Sequence, residues 1–129
     1  MRRINYKELL KAITAPAISE KVLIEDFRHL TLLVLLAAAT TTIKVKLSDA
    51  DDVDFSSPST LANPWYYVDL KGLGDAATTV TGTTGITGTT ATSQKGYAVN
   101  IDNAKWMAVH AEALSAGSVS VLLGAATND

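Results

Sequence analysis

Residues 30–47 read LTLLVLLAAATTTIKVKL, an apolar run that passes through three threonines into an alternating segment. Residues 105–123 read KWMAVHAEALSAGSVSVLL, which is again two apolar stretches joined by a break of small residues. Each segment predicts a strand, a short break and a second strand. Together they predict an antiparallel β-sandwich whose interior holds packing residues rather than reactive ones.

The first segment predicts two kinds of strand. The run at residues 30–39 is too short for a membrane helix, which needs about 20 residues, and it is interpreted as a buried central strand that has lost its polar alternation. Residues 43–47, IKVKL, alternate strictly. They predict a strand with Ile43 and its neighbours in the core and with Lys44 and Lys46 in solvent.

The rest of the chain supplies turn residues at a spacing near that of short strands. About eight strands are predicted in all, which favours a β-sandwich or a jelly-roll-like fold for residues 16–129. Residues 2–13, RRINYKELLKAI, have the apolar spacing of a short amphipathic helix that ends before Pro16. Residues 1–15 are therefore predicted to be a helix or arm, which docks on its own domain or reaches a neighbour.

Composition excludes several classes of function. The chain has 129 residues, of which 47% are hydrophobic and 19% charged, and its formal net charge is −2. One globular domain is expected, with no broad basic field to attract nucleic acid or a membrane surface. The chain has no cysteine, which excludes disulfides, thiolate metal sites and cysteine nucleophiles.

Catalysis is not predicted. The chain has two histidines, His29 and His110, and neither lies in a recognisable nucleophile–base motif. The sequence also lacks the GxSxG pattern of serine hydrolases. We expect a protein that is not an enzyme and that has no resident cofactor.

Two weaker binding hypotheses remain open. The acidic loop contains Asp49, Asp51, Asp52 and Asp54, whose carboxylates suit a calcium ion although the EF-hand spacing is absent. The aromatic residues Trp65 and Tyr66 suit stacking on a sugar, which would make the protein a carbohydrate-binding module. The alternatives are a solvated acidic loop and aromatic rings that pack in the core.

Residues 76–92 contain nine threonines and three glycines. Threonine favours extended backbone and glycine interrupts long strands, so this segment predicts a hairpin at a sheet edge. Such an edge can pair with a strand of another chain.

Residues 30–123 resemble the small β-sandwich virion proteins of tailed bacteriophages. The resemblance lies in TIKVKLSD at residues 42–49, WYYVDL at 65–70, KWMAV at 105–109 and GSVSV at 117–121. The chain departs from this pattern at Ala108, where relatives often carry arginine, and in its longer acidic loop.

This resemblance implies a structural component of a phage virion, most simply a capsid decoration or cement protein, with a neck or tail protein as the alternative. It implies docking on other virion proteins, above all the major capsid protein, and self-association as a trimer or other ring. The location would be the virion, assembled in the host cytoplasm. The candidate contact residues are Arg2, Arg3, Tyr6, Leu9, Leu10, Thr83, Thr84, Ile86, Thr87, Thr89 and Thr90.

Overall fold

The computed structural model describes residues 3–74, 78–101 and 103–127. Across these residues the chain forms one antiparallel sheet of ten strands, which confirms the all-β prediction. The predicted sandwich of two stacked sheets is not confirmed. The strands are β1 (Arg3–Ile13), β2 (Ala17–Ile18), β3 (Val22–Leu23), β4 (His29–Ser48), β5 (Tyr66–Tyr67), β6 (Leu70–Gly72), β7 (Thr79–Val80), β8 (Ile86–Thr89), β9 (Ser93–Val99) and β10 (Trp106–Ala126).

Strands β4 and β10 form a long two-stranded ribbon at the centre of the sheet. They pair from Ser48 opposite Trp106 to His29 opposite Ala126. The two breaks predicted within these segments are bulges rather than turns. Ala38 and Gly117 have positive φ angles of 49° and 72°, and the register shifts beside Gly117. Each pair of predicted strands is therefore one bent strand.

The bulges divide the ribbon into two halves. We call residues 29–37 and 118–126 the open half, and residues 40–48 and 106–114 the loop-covered half. In β4 the residues buried towards the core have even numbers from 30 to 36 and odd numbers from 39 to 47, while Lys46 and Ser48 are also buried. Because the bulge shifts the alternation by one residue, one face of the ribbon points to the core along its whole length. The opposite face is called the back face.

Short strands flank the ribbon on both sides. The path across the open half runs β1–β10–β4–β9–β6–β7. In the loop-covered half, β2 and β3 pair with β10, while β5 and β8 pair with β4. The core face of both halves contributes to one continuous cluster, which also contains Ile24, Phe27 and Ile101 from the connecting segments.

The predicted N-terminal helix is wrong. Residues 3–13 form β1, which pairs with β10 from Arg3 opposite Ala126 to Ile13 opposite Val119. The register shifts three times along this pairing, and Tyr6 and Ala12 each have a φ of 44°. These bulges offset the two-residue alternation of a strand, so the apolar spacing imitates a helix. Of the two predicted placements, the structure shows the segment docked on its own domain.

Among the described residues, no helix has the length and apolar character that a membrane span requires.

The loop-covered basic and aromatic cluster as the candidate functional site

A long loop covers the back face of the loop-covered half. Residues 49–65 connect β4 to β5, and within this loop Val53 and Phe55 are buried. Both belong to a small cluster with the buried Ala108 of β10, and the half-buried Trp65 and Trp106 pack against it. The back face of this half is therefore a second, smaller core.

Hydrogen bonds hold this loop in shape without regular secondary structure. The Asp54 carboxylate accepts hydrogen bonds from the hydroxyls of Ser56 at 2.6 Å and Ser57 at 2.8 Å. The Asn63 amide donates to the Asp54 carbonyl oxygen at 2.8 Å, and the Trp65 indole N–H donates to the Ser57 carbonyl oxygen at 2.8 Å. These bonds fix the loop as a rigid cover.

Lys46 lies beneath this cover. Its ammonium group donates to the carbonyl oxygen of Phe55 at 3.0 Å and lies 4.1 Å from the centroid of the Trp65 ring. Burial lowers the pKa of Lys46 below its ordinary value, because the charged form loses hydration. The sequence predicted Lys46 in solvent, and that prediction is wrong because the loop folds back over the strand.

Lys44 and His110 lie opposite each other beside Lys46. The ammonium group of Lys44 forms an ion pair with Glu112 at 2.8 Å and lies 5.0 Å from the Tyr67 ring centroid. Among the described residues, the Nδ1 atom of His110 is buried and has no hydrogen-bond partner. Burial, and next the charge of Lys46, lower the pKa of His110. The imidazole is thus held neutral within a packed cluster.

The four aspartates of the acidic loop point to different partners. Asp52 forms an ion pair with Lys21, Asp51 contacts Lys105 at 3.5 Å, and Asp54 caps the serine turn described above. Asp49 is exposed where the loop begins. The part of the chain that the structure describes contains no group of three or more acidic or histidine side chains that could hold a metal ion. The calcium site stays a prediction, without converging ligands to support it.

The residues predicted to bind sugar are divided between packing and exposure. Lys46 lies against one face of the Trp65 ring, and Tyr67 meets Trp65 edge-on with centroids 5.2 Å apart. Tyr66 is 45% exposed. Trp65 is therefore half-buried by packing while Tyr66 is exposed, and sugar binding stays a prediction.

The predicted contact residues also separate into exposed and buried groups. Leu10 and Ile86 are buried in the main core and offer little surface to a partner, and Leu9 is half-buried against that core. Arg2 lies outside the described residues. The exposed candidates are Arg3, Tyr6, Thr83, Thr84, Thr87, Thr89 and Thr90.

Sequence reasoning missed the covering role of Val53 and Phe55. The signal is present in the sequence as two apolar residues at alternate positions between aspartates and serines. Apolar residues within an otherwise polar loop indicate positions that are buried in the folded protein.

The fold is shared with a solved phage-derived protein. The crystal structure of the SPBc2 prophage-derived protein YomS matches this chain with a TM-score of 0.68 and 14% sequence identity. The match covers 97% of this chain and 95% of that chain. No protein-family model matches the sequence, and neither does a curated protein. The similarity therefore shows a common fold over nearly the whole chain.

Proposed function

We propose that this protein is a structural component of a bacteriophage virion, acting as a capsid decoration protein. The observation that carries the proposal is the fold shared with a prophage-derived protein along 97% of the chain. The resemblance of residues 30–123 to small virion proteins of tailed phages points in the same direction. The protein would be a virion component, assembled in the host cytoplasm.

The loop-covered cluster supports a structural rather than a catalytic role. Its ionisable groups hold the loop in place: Lys46 binds the Phe55 carbonyl oxygen, and Lys44 pairs with Glu112. Trp65 is packed against Lys46. These side chains stabilise the molecule, so its outer surfaces are left for function, without a requirement for a cofactor, nucleic acid or membrane.

The threonine-rich edge is the proposed contact with the capsid. β8 pairs with residues 40–43 of β4, and its side chains Thr87 and Thr89 are exposed together with Thr83, Thr84 and Thr90. This surface is uncharged and polar, which suits contact with the major capsid protein. Many weak contacts of this kind become strong on a symmetric lattice because each bound copy raises the effective concentration of the next. Self-association would add to this effect.

Co-sedimentation with capsid shells tests the proposal. The wild-type protein is expected to bind shells, and the double variant Thr87→Lys/Thr89→Lys is expected to lose this binding while remaining folded. Leu61→Lys is the matched control, because Leu61 is fully exposed on the loop between β4 and β5. Absence of wild-type binding to shells, with binding to isolated necks or tails, would reassign the protein to that part of the particle. Binding to no virion component would refute the proposal.

A further inference from the structure

The back face of the open half is an apolar surface that the described chain leaves uncovered. Leu33, Leu35 and Leu122 lie at its centre and are only half-buried. Among the described residues these three leucines belong to neither buried cluster. The equivalent face of the loop-covered half is sealed by residues 49–65. Exposed apolar patches of this kind mark interaction surfaces.

Further exposed apolar residues lie on the two margins of this face. At the β1 margin, Tyr6 is 57% exposed, and its ring lies over Gly124, 3.6 Å from the position a Cβ would take. At the β6 margin, Leu73 is 49% exposed and lies beside Gly96. Apolar side chains therefore reach both margins, with Thr31, Ser120 and Gln94 interspersed among them.

A cavity opens at the margin opposite Tyr6. It has a volume of about 310 Å³, and Lys71, Thr79 and Ala98 are among the residues that line it. The register places Tyr6 and this cavity in one row across the sheet. Gly124 lies opposite Thr31, Thr31 opposite Ala98, and Ala98 opposite Lys71, in that order from β10 to β6.

The position of Tyr6 and the cavity in one row favours a particular packing of two copies. β4 is the middle strand of the five from β1 to β6. A two-fold axis parallel to β4, placed over the back face, exchanges the two margins between copies and keeps each row at the same height. Tyr6 of one copy then lies over the cavity beside Lys71 of the other.

One pair of opposite charges favours the same arrangement. Glu8 lies at the β1 margin, opposite Leu122, and Lys71 lies at the β6 margin. Both side chains are exposed, and the central leucines between them are neutral. The two-fold axis brings Glu8 of each copy near Lys71 of the other, twice in the dimer, while the β1 margin also carries the exposed Arg3.

The size of the face approaches that of a stable interface. Five strands at about 4.8 Å and seven residues at about 3.3 Å span about 24 by 23 Å. Side chains project from this plane, so the accessible area of the face exceeds the area of the plane. It approaches the roughly 800 Å² per partner that stable interfaces bury.

We propose that two copies of this chain pack face to face through the open half, with Tyr6 of each copy seated in the cavity beside Lys71, Thr79 and Ala98 of the other. The result is a two-layer sandwich built from two molecules, with the sheets about 10 Å apart. The inference goes beyond the proposed function and does not depend on it.

Sedimentation velocity over a concentration series tests the proposal. The wild-type protein is expected to be a dimer, and Tyr6→Ala is expected to weaken dimerisation about 30-fold, the effect of losing an interface anchor. Tyr66→Ala is the matched control, because Tyr66 is 45% exposed but lies in β5, in the loop-covered half. Glu8→Lys and Lys71→Glu should each weaken the dimer, and the double exchange should restore it.

Chemical cross-linking gives an independent readout that does not depend on any loss of packing. The chain has no cysteine, so Leu33→Cys introduces a single thiol next to the two-fold axis. A short bismaleimide should join this variant into covalent dimers, seen on a denaturing gel, and should leave the Leu61→Cys variant without cross-links. A wild-type monomer at high concentration, a trimer, or a dimer that Tyr6→Ala leaves intact would each overturn the inference. None of these results alters the capsid-binding test above.

Discussion

The two halves of the central ribbon are built from the same pair of strands, but one back face is covered by a loop and the other is not. In the loop-covered half, residues 49–65 bury Phe55 and Val53 against Ala108 and enclose the charge of Lys46. In the open half, Leu33 and its neighbours remain half-buried. The difference shows that a chain with ample apolar content need not bury all of it within itself.

The bulge between the halves allows their back faces to differ in this way. At Ala38 and Gly117 the strands gain an extra residue without losing their pairing on either side. The core face therefore stays continuous, while the back face changes from small and apolar residues to lysine, histidine and glutamate. One ribbon can then carry an internal cluster at one end and an exposed surface at the other.

The largest expected effect comes from filling the bulge that separates the halves. A Cβ at Gly117 would lie 2.3 Å from the carbonyl oxygens of Ala37 and Ala38, at a φ of 72°. Gly117→Ala is expected to lower the free energy of unfolding by about 3 kcal/mol or more, measured by urea denaturation. Gly74→Ala is the control, because Gly74 has a φ of 79° but open space around it. It should cost only about 1 kcal/mol.

Removing the cover should separate the two halves energetically. Phe55→Ala is expected to lower the free energy of unfolding by about 3–4 kcal/mol, because it leaves a cavity over Ala108 and exposes Lys46. Leu35→Ala, measured at a concentration where the protein is monomeric, should cost only about 1 kcal/mol because Leu35 is already half-exposed. Equal costs for the two variants would contradict the distinction between a covered and an open face.

The sequence predicted the class of fold and part of its core. The alternation at residues 43–47 correctly placed Ile43, Val45 and Leu47 inside. The sequence pattern could not distinguish a bulge from a turn, because small residues such as those around Ala38 and Gly117 occur in both. The same ambiguity made the bulged β1 imitate a helix.

The candidate site was less predictable because it depends on contacts between distant residues. The local alternation of apolar and polar residues predicts that Lys46 is exposed. Lys46 is buried because the loop brings the Phe55 carbonyl oxygen over its ammonium group. The apolar positions of Val53 and Phe55 signal their burial but do not identify Lys46 as the residue they cover. In the sequence, Asp51 and Asp52 are candidates for a calcium site or a solvated loop, and their ion pairs with Lys105 and Lys21 join residues distant in sequence.

A smaller effect is expected from pH, and only in the loop-covered half. The folded-state pKa of His110 is lowered, first by burial and then by the charge of Lys46. Its stabilising contribution is therefore complete above the ordinary histidine pKa of about 6.5 and is lost as the pH falls below it. The loss for one group cannot exceed about 1.4 kcal/mol per pH unit.

Unfolding free energies measured between pH 7.5 and pH 5 should therefore fall less steeply in His110→Gln than in the wild type. Leu61→Gln is the control, because Leu61 is fully exposed and carries no ionisable group. Its pH dependence should match that of the wild type. An unchanged slope in His110→Gln would show that His110 is not the titrating group.

The smallest effect is expected at the ion pair between Lys44 and Glu112. The two charges are 2.8 Å apart, but the glutamate side chain retains 32% exposure to solvent. A double-mutant cycle with Lys44→Ala and Glu112→Ala should give a coupling energy of about 0.5 kcal/mol. A coupling several times larger would mean that the loop shields this pair more completely than the structure shows.

Hydroxyl-radical footprinting, read by mass spectrometry across a dilution series, tests the contrast between the two halves most directly. Phe55 should resist oxidation at every concentration, because its own chain buries it. Leu33 and Leu122 should be oxidised readily in dilute protein and become protected as the concentration rises. Protection of both leucines at the lowest concentration, or ready oxidation of Phe55, would contradict the account.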